Sequence, residues 1–135
     1  MSLWVRWLAT VTQKVAMLEY PLSQARGTRM NETEFENAVT ATLNRIEQAI
    51  ESSGANIDFE NAGEILELEF KNRSKIIINK QGAAKQIWVA AKSGGFHYSY
   101  EAGSGQWRND QSGVELFSEL TRLVSEQCGE SVKLV

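Results

Sequence analysis

The segment KIIINKQGAAKQIWVAAKSGGFHY, residues 75–98, predicts two β-strands and the beginning of a third. Alternate side chains of a strand point to opposite faces of a sheet. One face is aliphatic and suits a core, with Ile76, Ile78, Ile87 and Val89. The other face carries three amides and an indole, from Asn79, Gln81, Gln86 and Trp88. A large aromatic side chain among uncharged polar groups, outside the core pattern, predicts a partner-binding surface, and packing of the indole under a loop is the alternative.

Amphipathic helices are predicted on both sides of the strands. Apolar residues at steps of four and three indicate the first helix, over residues 31–53: Phe35, Val39, Leu43, Ile46 and Ile50. Asn31 and Glu34 predict a capping box at its start. A similar apolar stripe predicts the second helix, which ends before Gly129 and has Ser112 and Glu115 as its capping box.

About six strands follow one another between the two helices. Their connections are short, whereas parallel pairs need long crossovers, so the strands are expected to pair as an antiparallel meander. Two amphipathic helices can then cover one face of the sheet. The predicted fold class is α+β, a two-layer α/β sandwich of order α-β-β-β-β-β-β-α.

Composition limits the kinds of site that the chain can build. With 135 residues, 42% hydrophobic and 23% charged, it has the size and balance of one globular domain. Cys128 and His97 are the only residues of their types, which excludes an internal disulfide and a Cys/His zinc cage. Cys128 lies on the apolar stripe and is expected to be a small buried hydrophobe. No Ser/His/Asp or Cys/His nucleophile set can be assembled, so nucleophilic catalysis is not expected.

The charge is distributed unevenly along the chain. Residues 32–69 contain ten acidic residues and one basic residue, Arg45, although the whole chain has a net charge of −3. A concentrated negative field repels phosphate backbones and attracts cations or basic protein surfaces. Nucleic acid is therefore excluded as an expected partner. No apolar run is long enough to span a bilayer, so no membrane partner is expected either.

Carboxylates collect where the first helix meets the first strand. Glu47 and Glu51 lie along one edge of the helix, and Asp58 and Glu60 alternate with the apolar positions of the strand. Carboxylate oxygens suit hard cations such as iron, manganese, magnesium or calcium. An open ridge of this kind predicts a weak, labile metal site, while a solvated charged face that confers solubility is the alternative.

The chain also resembles a known family. An ordered series of segments is similar to the frataxin family: Asn79-Lys80-Gln81, Gln86-Ile87-Trp88, Gly94-Gly95-Phe96-His97-Tyr98 and Trp107. The Gly-Gly-aromatic-His segment resembles the bacterial members. The resemblance defines a frataxin-like domain over residues 30–135. Residues 1–29 are then an N-terminal extension, expected to be disordered or a start-site artefact, with a transit peptide as the alternative.

This resemblance implies a function and partners. A frataxin would be a cytoplasmic, non-enzymatic accessory protein of iron–sulfur cluster assembly that weakly binds ferrous or ferric iron. Its acidic ridge, here Glu47, Glu51, Asp58 and Glu60, would dock on a cysteine desulfurase in complex with its scaffold protein. Asn79, Gln81, Gln86 and Trp88 would form the uncharged part of the docking face. The expected state is a monomer, with iron-loaded oligomers as a further expectation.

Two other functions remain open at this point. One is a ferroxidase or iron-storage enzyme that uses the same carboxylates, and the other is a metal-independent interaction module. The chain also departs from the family pattern at two loops. Residues 82–84 are Gly-Ala-Ala where a proline is usual, and residues 52–56 carry no acid. The second departure thins the ridge and predicts a lower iron affinity.

Overall fold

The computed structural model describes residues 30–134, so the expected N-terminal extension over residues 1–29 lies outside the described part. The elements are α1 (Glu32–Ser53), β1 (Ile57–Asn61), β2 (Ile65–Phe70), β3 (Lys75–Gln81), β4 (Gln86–Ala91), β5 (Gly94–Glu101), β6 (Gln106–Asn109) and α2 (Leu116–Cys128). Neither α1 nor α2 is long and apolar enough to cross a membrane.

The six strands form one antiparallel sheet in sequence order, β1-β2-β3-β4-β5-β6. Both helices pack on the same face of this sheet, which confirms the predicted two-layer α/β sandwich. Short turns join consecutive strands, and turns of this length favour antiparallel pairing between strands that follow one another in the chain. The backbone takes positive φ at Arg73 and Lys85, in the turns that flank β3.

One continuous core lies between the sheet and the helices. Each strand contributes alternate residues to it, and α1 and α2 contribute their apolar stripes. The fully covered members include Ile46, Leu68, Ile78, Ile87 and Leu120. A polar contact inside this core ties β6 to α1, because the Trp107 indole N–H donates to Thr42 Oγ1 at 2.9 Å. The inner face of the sheet is therefore occupied by α1 and α2, and these two helices leave its outer face uncovered.

The predicted start of α1 is confirmed, but the predicted start of α2 is wrong. Asn31 and Glu34 form the reciprocal capping box at α1. At α2 the N-cap is Glu115, whose carboxylate accepts from the backbone N–H groups of residues 117 and 118. Ser112 cannot cap the helix because Glu115 is extended and forms a bridge with Arg108 of β6, which delays the helix to Leu116.

A buried carboxylate joins α2 to the sheet. Glu119 is 6% exposed and accepts hydrogen bonds from the Tyr98 hydroxyl at 3.0 Å, the Asn109 amide at 3.0 Å and Arg122 at 2.8 Å. Burial alone would raise the pKa of Glu119, but these three donors outweigh it and hold the pKa below its usual value. Burial also raises the pKa of the Tyr98 hydroxyl, with the Glu119 charge acting in the same direction.

Because its pKa is lowered in the folded state, Glu119 should stabilise the protein in a pH-dependent way. Its contribution is fully present above the unfolded-state pKa of about 4.3 and is lost as the pH falls through the lower folded-state pKa. We expect Glu119→Gln to reduce the free energy of unfolding at pH 7 by about 1–3 kcal/mol, because the three donors lose an ionised acceptor.

Urea unfolding at pH 7 and at pH 3 measures this contribution. The control is Glu126→Gln, which removes an exposed carboxylate that also pairs with Arg122. The control should change the free energy of unfolding by less than about 1 kcal/mol. Equal effects of the two substitutions would contradict the assignment of a special role to Glu119.

Candidate docking face and acidic ridge

The outer face of the sheet is the surface that the helices leave uncovered. The strand register places alternate residues side by side across it. Its acidic part, on β1 and β2, contains Asp58, Glu60, Glu67 and Glu69. Its neutral part, on β3 to β5, contains Ile77, Asn79, Gln81, Gln86, Trp88, Ala90, His97 and Ser99. The four predicted partner-binding residues therefore share one face.

Two transverse rows organise the neutral part. Asn79, Trp88 and His97 lie directly opposite one another on β3, β4 and β5. Gln81, Gln86 and Ser99 form the next row. Directly opposed side chains on neighbouring strands lie within contact distance, so each row is a continuous strip of polar and aromatic groups.

Trp88 lies outside the main apolar core, as expected, but it is not an exposed contact residue. It is only 2% exposed. Its ring centroid lies 4.9 Å from that of His97, and its indole N–H donates to Gln86 Oε1 at 2.8 Å. The indole is thus held by outer-face neighbours, one across the strand pair and one two positions earlier on β4. Strand alternation predicts the face of a side chain but not how closely the neighbours cover it.

Gln86 is held as firmly as Trp88. It is 1% exposed, and its amide nitrogen donates to Ser99 Oγ at 3.2 Å and to the Asp110 carboxylate. Ser99 Oγ donates in turn to Asp110 Oδ1 at 2.7 Å. By contrast, Asn79 and Gln81 are half-buried. The predicted partner-binding set therefore divides into two covered residues and two that solvent can reach.

His97 contributes an uncharged ring to this surface. Burial lowers its pKa, against a smaller opposing effect of the Asp110 charge, so the imidazole is neutral at pH 7. Within residues 30–134, its Nε2 atom is buried without a hydrogen-bond partner. The sequence interpretation assigned no role to this histidine, although the β4–β5 hairpin register could have placed it beside Trp88.

The carboxylates of the predicted acidic ridge lie apart from one another. Glu47 is half-buried and accepts a hydrogen bond from the Asn61 side chain, which ties the edge of α1 to the end of β1. Glu51, Asp58 and Glu60 are exposed. Over residues 30–134, no three acidic, histidine or cysteine side chains converge to hold a metal ion.

Further acidic residues lie on β2, where the sequence predicted no site residue. Asp58 lies opposite Glu69, and Glu60 lies opposite Glu67. Directly opposed like charges are unfavourable, and only part of the charge is balanced within the protein. Lys75 approaches Glu67 at 3.3 Å, while exposed Arg73 approaches Glu69 at 3.9 Å. Cross-strand pairing brings these acidic residues together, and the sequence alone does not give the β1–β2 register that determines which residues pair.

Cys128 does not form part of this surface. It is half-buried beside the core, and its Sγ lies 3.9 Å from a Glu130 carboxylate oxygen. Burial and the nearby carboxylate raise the pKa of the thiol. A protonated thiol is a weak nucleophile and a poor metal ligand, which agrees with the expectation that Cys128 has a packing role.

The fold and the outer face together define a class of protein: a small α/β sandwich that presents one acidic and polar sheet face. A family model described as the Frataxin-like domain matches residues 28–130. The chain belongs to the frataxin family, and within it the chain resembles the bacterial members called CyaY.

Individual relatives agree with this assignment. The iron-sulfur cluster assembly protein CyaY of Pseudomonas paraeruginosa is 45% identical over 104 residues, which cover 77% of this chain and 96% of the relative. The protein of the same name from Vibrio vulnificus is 47% identical over 103 residues, covering 76% and 97%. The frataxin structure of Psychromonas ingrahamii matches with a TM-score of 0.73 and 38% identity, covering 78% of this chain and 99% of that one.

The fold extends to more distant members. The trimeric frataxin of Saccharomyces cerevisiae, solved in complex with ferrous iron, matches with a TM-score of 0.57 and 24% identity. At that identity the likeness shows the fold alone.

The burial of Trp88 changes what its substitution should do. We expect Trp88→Ala to reduce the free energy of unfolding by about 3 kcal/mol, because it removes a covered indole and leaves the Gln86 carbonyl without its donor. Trp88→Phe keeps an aromatic ring beside His97 and should cost less. Urea denaturation followed by circular dichroism measures both variants.

Gln81→Ala is the matched control for these two variants. It truncates a half-buried side chain in the neighbouring row and should change the free energy of unfolding by less than about 1 kcal/mol. An unchanged stability of Trp88→Ala would mean that the indole is not packed as described.

Proposed function

We propose that the protein is an iron-binding accessory and regulatory factor of iron–sulfur cluster assembly. It docks through the outer face of the sheet on a cysteine desulfurase in complex with its scaffold protein. The observation that carries the proposal is the joining of an acidic part and a neutral, aromatic part on one uncovered face. Relatives that the chain matches over 96–97% of their length carry the name iron-sulfur cluster assembly protein, which supports this role.

The acidic part supplies attraction and weak iron ligands. The proposed ligands are Asp58 and Glu60 of this part together with Glu47 and Glu51 on the adjacent edge of α1, and Glu67 and Glu69 extend the acidic region across β2. Exposed carboxylates that do not converge coordinate a cation through one or two oxygens, with water completing the coordination. The name iron-sulfur cluster assembly protein, carried by relatives 45–47% identical to this chain, supports iron as the cation. The acid-free loop at residues 52–56 is consistent with low affinity.

The neutral part supplies specificity. Asn79 and Gln81 offer accessible amide donors and acceptors, while Trp88 and Gln86 form a rigid floor beside them. Interfaces draw much of their binding energy from a few well-packed aromatic and polar anchors surrounded by groups that exclude water. A surface whose side chains are already fixed also loses less conformational entropy when it binds.

The geometry favours binding over catalysis. A ferroxidase centre requires several ligands that converge on iron, and the described carboxylates stand apart. Oxygen consumption by the protein with ferrous iron tests this directly. Turnover above that of buffer would favour the enzyme alternative.

Docking should depend on the charge of the ridge. We expect Asp58→Lys/Glu60→Lys to weaken binding to the cysteine desulfurase by at least about tenfold, and binding of the wild type to weaken as salt rises. The control is Glu126→Lys/Glu130→Lys, the same change in charge on exposed residues at the end of α2. Isothermal titration calorimetry at low and at physiological salt measures both. Equal losses in the two variants would contradict docking through the ridge.

Iron should perturb one region of the protein selectively. We expect anaerobic titration with ferrous iron to broaden or shift backbone amide resonances over residues 47–60 and 67–69 before those of α2, because the carboxylates lie there. Nuclear magnetic resonance of the labelled protein measures this. Uniform changes, or none, would remove iron from the proposal and leave a metal-independent interaction module.

A further inference from the structure

Asp110 lies in the turn after β6, one residue beyond the sheet, and belongs neither to the ridge nor to the predicted docking residues. Its carboxylate nevertheless accepts hydrogen bonds from a chain of donors that begins at Trp88. The Trp88 indole donates to Gln86 Oε1, the Gln86 amide nitrogen donates to Asp110 and Ser99, and Ser99 Oγ donates to Asp110. The backbone N–H of Asp110 donates to the His97 carbonyl at 2.9 Å, which anchors the turn to β5.

The direction of this chain is set by its two ends. An indole N–H can only donate, and a carboxylate can only accept. The groups between them are adaptable, because a hydroxyl both donates and accepts and an amide has a donating and an accepting side. Asp110 draws the nitrogen of the Gln86 amide towards itself and thereby turns the oxygen towards the indole. Without Asp110, the amide loses the charged acceptor that selects this orientation.

We propose that Asp110 is a positioning residue for docking, which fixes the Gln86 amide and through it the orientation of the Trp88 indole. This inference rests on the proposed function, in which the neutral part of the outer face contacts the desulfurase. It assigns to Asp110 an effect on binding that does not require contact with the partner.

The test compares Asp110→Ala, Asp110→Asn and the control Glu101→Ala. Glu101 is exposed on β5, and its carboxylate binds Ser104 and Arg108 instead of this chain. Two quantities are measured: the hydrogen exchange rate of the Trp88 indole N–H, by nuclear magnetic resonance, and the Kd for the cysteine desulfurase. The Trp107 indole, bonded to Thr42 inside the core, is the internal reference for general destabilisation.

We expect Asp110→Ala to accelerate exchange at Trp88 by about tenfold with little change at Trp107, and to weaken desulfurase binding by about tenfold, because a charge-assisted acceptor is lost. Asp110→Asn keeps one of the two acceptor oxygens but loses the charge, so it should fall between the wild type and Asp110→Ala in both measurements. Glu101→Ala should resemble the wild type in both measurements. A Glu101→Ala variant as impaired as Asp110→Ala would mean that the loss of any carboxylate near this face has the same effect, and would overturn the proposal.

Other outcomes separate this inference from the proposed function. Unchanged exchange at Trp88 in Asp110→Ala, or equal acceleration at Trp107, overturns the positioning role whatever the partner does. Faster exchange at Trp88 with an unchanged Kd would show that Asp110 positions the indole but that this positioning does not affect docking, which overturns the proposal. A wild-type protein that does not bind the desulfurase removes the proposed function, and indole exchange then decides alone whether Asp110 positions Trp88.

Discussion

The packing of α1 and α2 on one face of the antiparallel sheet is the constraint on which the rest of the structure depends. It assigns every second strand residue to the core and leaves the remaining residues on a face that neither helix covers. That outer face must satisfy its own polar groups. On β1 and β2 it does so with solvated carboxylates, and on β3 to β5 with cross-strand hydrogen bonds and ring contacts. The acidic and neutral parts of the proposed docking surface therefore satisfy their polar groups in different ways, the first with solvent and the second with neighbouring side chains.

The neutral half is fixed by contacts between its own side chains. Within residues 30–134, Trp88 and Gln86 are almost inaccessible even though neither α1 nor α2 packs on them. Their orientation comes from hydrogen bonds that reach Asp110 in the turn after β6. A partner therefore meets a surface that is ordered before contact, and Asn79 and Gln81 remain as its accessible donors and acceptors. Such order favours a specific interface over an adaptable one.

The sequence was sufficient for what depends on local pattern. The alternation of Ile76 and Ile78, the helical stripes and the Asn31 cap led to the correct architecture, because each is read within a few residues. What depends on distant pairing was missed. Glu115 caps α2 only because Arg108 holds it extended, and Glu69 joins the ridge only because it faces Asp58. The burial of Trp88 has the same origin, since the groups that hold it lie on two strands and a turn.

The like-charge pairs on β1 and β2 also bear on how the protein behaves at high concentration. β1 is the last strand on its side of the sheet, and an open edge is a template for strand pairing with a second copy. If the β1 edges of two copies paired, Asp58 and Glu60 of each copy would bring four carboxylates together, and these would repel one another. Acid, salt or a bound cation reduces that repulsion. The conditions that neutralise the ridge are therefore the ones under which edge-to-edge self-association should increase.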